Sequence, residues 1–335
     1  MPEPVLTMLL GAVLGVAAAG LPCPLNAGWI LQQEVQLPSS NGGYSAITYE
    51  QLRRRIWLLS DLPEGSLTAW TSPSPVNVPR ELGVLRLQVP PEISQQLDAE
   101  GLVLDRHQAW VANEGRRSRE RPAQLLRVSL QNGALLQAVS LPAPWQAGAN
   151  RGLASNAGPE SLTRLSRPTE PLELLMAAER ALLQDPADRV RLLRWYWPVG
   201  HPPTAAPEAQ ELGALRAPAG EGWGLTDVLV LHPVQDGPAS LLSLWRRYRE
   251  PMQWDNHLRL SSVPRPGELV DAIQDWDLQA YGLTAENWEG LSLGPEVSPG
   301  RPGLLLVSDD NRNPLQSSRL AWLEPRRTTP CSEPP

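Results

Sequence analysis

Acidic side chains recur in this 335-residue chain at the beginnings and ends of short candidate hairpins, and they are the residues best placed to do chemistry. In the run ENWEGLSLGPEVSPGRPGLLLVSDDN, strands over Gly290 to Gly294 and Gly303 to Ser308 are joined by a turn built from Pro295, Pro299, Gly300 and Pro302. Antiparallel closure sets Glu289 opposite Asp309 and gathers Asp310 and Asn311 on the same rim. Carboxylates held so close repel one another, so the arrangement asks for a cation or for work in proton transfer.

The same pattern appears four more times. Ser45 faces Asp61 across the Arg53-Arg54-Arg55 turn, and Glu100 faces Glu114 across a turn centred on His107. Glu160 faces Glu179, and Asp227 faces Trp245 with Arg246, Arg247 and Arg249 alongside. The starts Ser45, Glu100, Glu160, Asp227 and Glu289 are 55, 60, 67 and 62 residues apart. A period near 60 fits four strands with generous loops, which predicts an all-β, propeller-like ring of five four-stranded blades, or six if a loop region holds another sheet.

Outer strands follow most hairpins, at Leu67 to Thr71, Gly83 to Val89, Gln124 to Leu130, Ala134 to Leu141 and Val190 to Trp197. The last hairpin is followed only by Arg319 to Leu323, so Trp29 to Leu37 is expected to supply the missing strand and close the ring, which removes exposed sheet edges. The run Leu172 to Leu183 has helical composition, but Pro168, Pro171 and Pro186 confine it and the repeat predicts a strand. Pro198 to Pro218 reads as a Pro-rich loop, and Glu268 to Leu278 as either a short helix or a strand.

Composition agrees with this plan. The chain has 36 Pro and 26 Gly, no Phe, and an aromatic complement of 13 Trp and 5 Tyr. Its net charge is -7 and all 29 basic residues are Arg. An acidic surface excludes general binding to nucleic acid or anionic lipid, whereas guanidinium groups suit bidentate capture of one phosphate or carboxylate. No nucleophile elbow, phosphate-cradling glycine loop or metal-type cysteine spacing is present.

Val5 to Leu21 is apolar apart from Thr7 and ends near Ala17-Ala18-Ala19, which reads as a secretory signal over residues 1–27 or, failing cleavage, an N-terminal anchor. Periplasmic or secreted localisation is therefore expected, with a single folded domain over 28–325 and a tail over 326–335. Cys23 and Cys331 could then bridge the chain ends, unless cleavage removes Cys23.

The succession GGYSAI with LLSD, DAEGL with WVANEG, NAGPESL with MAAER, GLTDV, and NWEGL with LLLVSDDN resembles the phytase-like domain family, described by an esterase-like activity of phytase. The resemblance spans Trp29 to Glu324. It implies an exported propeller-like domain acting on phosphate or other esters, with calcium dependence. By position it points to Ser45, Asp61, Glu100, Glu114, Glu160, Glu179, Glu289 and Asp309. The chain departs from the family pattern at Ala46, Ser161 and Trp245.

The candidate Ca2+ ligands are thus Asp61, Glu100, Glu114, Glu160, Glu179, Asp227, Glu289, Asp309 and Asp310, as hard cations take oxygen donors. Glu100, Glu160 and Glu289 are the candidate catalytic carboxylates, with Arg116 and Arg246 orienting a small anionic ester substrate. Against this stands a plainer role for each acid, capping a turn or pairing with Arg. Two functions remain open: a metal-assisted ester or phosphoester hydrolase, and a non-catalytic propeller that binds a ligand or partner and uses calcium for rigidity. A monomer is expected in either case.

Overall fold

Period-2 patterning is what builds this protein, and it does so between sheets as well as within them. The computed structural model describes residues 28–38, 42–74, 77–90, 93, 97–115, 122–202, 204–233, 237–298 and 301–326. The strands are β1 (Trp29–Gln36), β2 (Tyr44–Glu50), β3 (Arg55–Ser60), β4 (Ser66–Thr71), β5 (Glu81–Arg86), β6 (Ala99–Asp105) and β7 (Gln108–Asn113). They continue with β8 (Gln124–Ser129), β9 (Leu135–Ser140), β10 (Pro159–Arg164), β11 (Glu173–Ala178), β12 (Arg189–Tyr196), β13 (Glu208–Arg216) and β14 (Trp223–Leu231). The last are β15 (Ser240–Arg249), β16 (Gln253–Ser262), β17 (Leu269–Val270), β18 (Gln274–Asp277), β19 (Asn287–Ser298), β20 (Arg301–Asp309) and β21 (Arg319–Pro325).

These strands form five antiparallel blades, a β-propeller, as the repeat predicts. The first blade is β2 to β5, the second β6 to β9, the third β10 to β13 and the fourth β14, β15, β16 and β18. In the fifth, β19, β20 and β21 are followed by β1, which pairs with β21 from Trp29 opposite Pro325 to Gln36 opposite Arg319. The run Leu172 to Leu183 does contain a strand, β11, because β10 and β12 hydrogen-bond to either side of it.

Second strands are buried on both faces, and alternate side chains serve different seams. In β3, Ile56 and Leu58 pack toward the fifth blade while Trp57 and Leu59 pack toward the second. In β11, Leu174 and Met176 face the second blade and Leu175 and Ala177 the fourth. In β20, Leu304 and Leu306 meet the fourth blade while Leu305 and Val307 meet the first. The apolar core is therefore five wedges, one at each seam, and the seam between fifth and first blades completes the ring. Outer strands such as β9 alternate between half-buried and exposed residues because only one face meets protein.

Two readings of the sequence need correcting. Pro198 to Pro218 is not a loop throughout: β13 lies within it and pairs with β12, its alternation being too weak to show beside so many prolines. Glu268 to Leu278 is neither one helix nor one strand. It yields β17, β18 and the start of a 3-10 turn at Leu278–Tyr281, and β17 leaves its own blade to pair parallel with β13 of the third.

Inner strands approach so closely that side-chain volume decides whether the ring shuts. A Cβ on Gly101 of β6 would lie 2.5 Å from the backbone nitrogen of Leu162 on β10. Gly101→Val should therefore destabilise the protein by about 3 kcal/mol through overpacking. Urea unfolding measures this, and a loss below about 1 kcal/mol would show that these two strands can part freely.

Candidate functional site

Every inner strand carries a one-residue bulge at the same level. Tyr44 pairs with Ser60 and Ala46 with Leu59, so Ser45 has no opposite number. Glu100 is likewise skipped between the Ala99–Asn113 and Gly101–Ala112 pairs, and Glu160 between Pro159–Ala178 and Ser161–Ala177. In the fourth blade the skipped residue is Thr226, and in the fifth it is Glu289. A bulge bends the strand and re-aims the extra side chain, which is how one position per blade comes to face a shared opening.

Every facing pair expected from hairpin symmetry is displaced by two residues, one from the bulge and one because each turn closes one residue off the assumed symmetry. Asp61 hydrogen-bonds through its backbone to Gly43 rather than to Ser45, Glu114 to Asp98 rather than to Glu100, and Glu179 to Gly158 rather than to Glu160. Asp309 pairs with Asn287 rather than Glu289, and Trp245 with Leu225 rather than Asp227. Arg246, opposite Gly224, holds the register position that is Asp61, Glu114, Glu179 or Asp309 in the other blades. Two tiers result: Ser45, Glu100, Glu160, Thr226 and Glu289 on the bulges, and Asp61, Glu114, Glu179, Arg246 and Asp309 behind them.

The two hydroxyls in the first tier join neighbouring blades. Ser45 donates to the carbonyl of Ala99, and Thr226 donates to that of Trp288 at 3.2 Å. The three glutamates are buried, and they act on one another across blades. Glu100 feels the negative charges of Glu160, Glu289, Asp61 and Asp98, which come from four different blades. The structure thus brings Glu100, Glu160, Glu289, Asp61, Glu114, Glu179, Asp309 and Arg246 into one electrostatic neighbourhood.

Burial and mutual repulsion set the protonation of this cluster. Glu100, Glu160 and Glu289 all titrate well above the usual carboxylate range, chiefly because burial penalises the anion. Burial, with Asp309 and Asp98 nearby, pushes Asp61 up to about 8. Burial and Asp98 push Glu114 up to about 7, and burial pushes Asp309 up to about 6.

Partners divide the acids sharply. Arg246 Nη2 lies 3.2 Å from Glu289 Oε1 and 3.9 Å from Glu179 Oε1. Its Nη1 donates to Asn287 Oδ1 at 2.8 Å, and Asn287 in turn donates to Glu289 Oε1 at 2.8 Å. On the other side of the mouth, ligand oxygens of Asp61, Asp98 and Glu100 lie within 4.8 Å of one another. Asp61 Oδ1 is buried without a hydrogen-bond partner. Glu100 is only 8% exposed and has no hydrogen-bond or ion-pair partner among the described residues. Three carboxyl groups offering oxygen donors, two of them short of partners among the described residues, fit a hard cation such as Ca2+, which takes oxygen ligands and favours their ionised forms.

Two expected ligands are engaged elsewhere. Asp227 lies one residue past the bulge, where Oδ1 accepts from Val228 N at 2.8 Å and Oδ2 from Leu291 N at 2.6 Å. Asp310 accepts from Arg312 N at 3.0 Å, Gly43 N at 3.3 Å and Ser318 Oγ at 3.1 Å, so it organises a turn. Arg116 lies outside the described residues, as do residues 1–27 and Cys331. Asp98 is the member that sequence reasoning passed over. Its signal is the Asp-x-Glu spacing: the residue two before each bulge is the true partner of the second-strand position.

A cleft of about 870 Å³ opens on the rim between the third and fourth blades, lined by Arg180, Arg216, Trp223 and Arg259 among others. Arg216 pairs with Asp188 and Asp271, and Arg259 pairs with Asp275 at 3.1 Å. Arg180 follows Glu179 directly, pairs with it at 3.3 Å through Nη2, and has a side chain that is 53% exposed.

Comparison with known proteins agrees with the ring. An endo-arabinase from Bacteroides thetaiotaomicron is similar at 10% identity over 90% of this chain and 98% of its own, with a TM-score of 0.50. A putative oxidoreductase (glucose dehydrogenase) of Thermus origin is similar at 9% identity over 88% of this chain and 100% of its own, with a TM-score of 0.45. At 10% identity the endo-arabinase likeness speaks to the fold alone. Among curated proteins none matches the chain. The profile described as "Phytase-like: Esterase-like activity of phytase" matches residues 39–312, a span that includes the inner-strand bulge of every blade, and the chain belongs to that family.

Proposed function

We propose that this protein is an exported, metal-assisted hydrolase of small anionic esters or phosphoesters, working at the acidic mouth of the ring. The observation that carries the reading is the grouping of Asp61, Asp98 and Glu100 within 4.8 Å, with Glu100 buried and unpartnered among the described residues. Carboxylates buried this close repel one another, and a bound cation relieves that repulsion. Asp61, Asp98 and Glu100 would hold Ca2+. When bound, the ion supplies polarisation of a phosphoryl or carbonyl oxygen and acidifies water.

The chain's own groups supply the rest. Glu160, whose carboxyl is pushed well above the ordinary range by burial and by Glu179 and Glu114, is the group to give a proton to a leaving alkoxide. Arg180 at the cleft rim binds the anionic group of the substrate. Arg246 fixes Glu289 and Asn287 in place, which keeps the mouth's geometry constant through turnover.

Hydrolysis of p-nitrophenyl phosphate, p-nitrophenyl acetate or phytate by purified protein should require calcium and disappear with chelator. Inertness toward all three with calcium present would overturn the hydrolase reading. If chelator then still lowered the melting temperature, the protein would be a non-catalytic binding propeller with structural calcium.

A further inference from the structure

Among the described residues, four blades end the ladder between their second and third strands short of the tier formed by Asp61, Glu114, Glu179 and Asp309. Their last rungs are Ser60–Ser66, Asn113–Gln124, Ala177–Leu192 and Val307–Leu320. The fourth blade runs on. Past the Arg246–Asn256 rung, β15 and β16 pair at Arg247–Asp255, Tyr248–Trp254 and Arg249–Gln253, so a two-stranded ribbon stands above the mouth. Side chains alternate along it. Arg247 and Arg249 share one face, where both pair with Asp255 and the Arg247 guanidinium lies 4.7 Å over Trp223, which braces the ribbon.

Tyr248 and Trp254 share the other face, the one that Arg246 presents to the carboxylates of the mouth. Their side chains pack with centroids 5.0 Å apart at 56°, and the Arg246 guanidinium lies 5.6 Å from the centre of Trp254 on the rung below. Trp254 is half-buried, whereas Tyr248 is 44% exposed. Met252 N donates to Tyr248 Oη at 3.2 Å, Asn313 Nδ2 donates to Met252 Sδ at 3.9 Å, and Leu315 N donates to Asn313 Oδ1 at 3.0 Å. Asn313 and Leu315 belong to the fifth-blade turn that follows Asp309 and Asp310. Tyr248, Met252 and Leu315, all exposed, thus form one apolar ledge across two blades beside the mouth. Scattered surface apolar residues are ordinary, but a connected group rimmed by charge marks a binding surface.

We infer that this ledge receives an aryl group of the substrate, stacked on Tyr248, so that the esters or phosphoesters taken are aryl-bearing ones. The inference rests on the proposed hydrolase site and adds the chemistry of the substrate's organic part. An aromatic face attracts another aromatic group beyond what area alone supplies, and the Met252 thioether adds a favourable contact to such a group. Because Asp255 already braces the ribbon, little ordering is left to be done when the ligand arrives. A polyhydroxy substituent gains nothing from these three side chains.

Calorimetric binding of phenylphosphonate, cyclohexylphosphonate and 2-hydroxyethylphosphonate to the full-length protein, with calcium present, tests this; their C–P bonds survive hydrolysis. Wild type should bind phenylphosphonate about tenfold more tightly than 2-hydroxyethylphosphonate, and more tightly than the cyclohexyl compound. Tyr248→Ala should erase the preference and Tyr248→Phe should keep it. Leu315→Ser, at a fully solvated turn position, should lower it about threefold. Equal binding of the three probes by wild type, no binding of any, or a preference that survives Tyr248→Ala would each overturn the inference. Phenylphosphonate bound with this preference by a protein inert toward p-nitrophenyl esters would instead overturn the hydrolase reading and leave the aryl site standing.

Discussion

Replacing Glu100 with Gln should stabilise the calcium-free protein and disable it together. Glu100 is buried, faces acids from three other blades and has no partner among the described residues, so its ionised form is a liability to the fold. A neutral amide of the same shape removes that repulsion, and the calcium-free melting temperature at pH 8 should rise by about 3–6 °C, equivalent to about 1–2 kcal/mol. Calcium affinity should fall by on the order of 100-fold, the upper end of what is lost even when a residue merely supporting a ligand is changed, and ester hydrolysis should fall with it. Glu64→Gln, at an exposed turn, serves as the control and should change neither quantity. A Glu100→Gln protein that melts lower and binds calcium normally would assign this residue to the scaffold.

Without calcium, the protein should lose stability as pH rises from about 4 to 8, the reverse of ordinary acid denaturation. Asp61, Glu114 and Asp309 are raised to about 8, about 7 and about 6, each above its ordinary value. The folded chain therefore keeps protons that the unfolded chain has already released. Stability from these groups is fully present below the unfolded carboxylate range and is lost as pH climbs through the folded values. A shift of about two units, such as that of Asp309, corresponds to about 3 kcal/mol. Added calcium favours the ionised forms and should flatten or invert the slope. Urea unfolding at pH 5 and pH 8, with chelator and with calcium, gives both arms, and equal or greater calcium-free stability at pH 8 would contradict the expectation.

The ring and its acids were legible in the sequence because each blade repeats one hairpin with an acid or hydroxyl near its start. Strand β11 was recovered against its helical composition, since three prolines and the repeat outweighed propensity. Register was the illegible part. Counting outward from a turn assumes that each residue meets one partner, and a bulge violates this without leaving a residue type as its mark: Ser45, Glu100, Glu160, Thr226 and Glu289 share only their place. The same offset hid Asp98, promoted Asp227, and disguised Arg246 as a neighbour of a missing acid when it stands in that acid's place. Strand β13 was hidden for another reason: an outer strand buries one face only, and flanking prolines masked its faint alternation.

The short strand β17, which departs from the fourth blade to lie along β13 of the third, fastens those two blades on the outside as well as through their shared apolar wedge. Prising that boundary open would mean unzipping a backbone ladder in addition to separating side chains. Any opening of the ring is therefore expected at the other four boundaries, and the Arg180 cleft, sitting beside the fastened one, is expected to keep its shape.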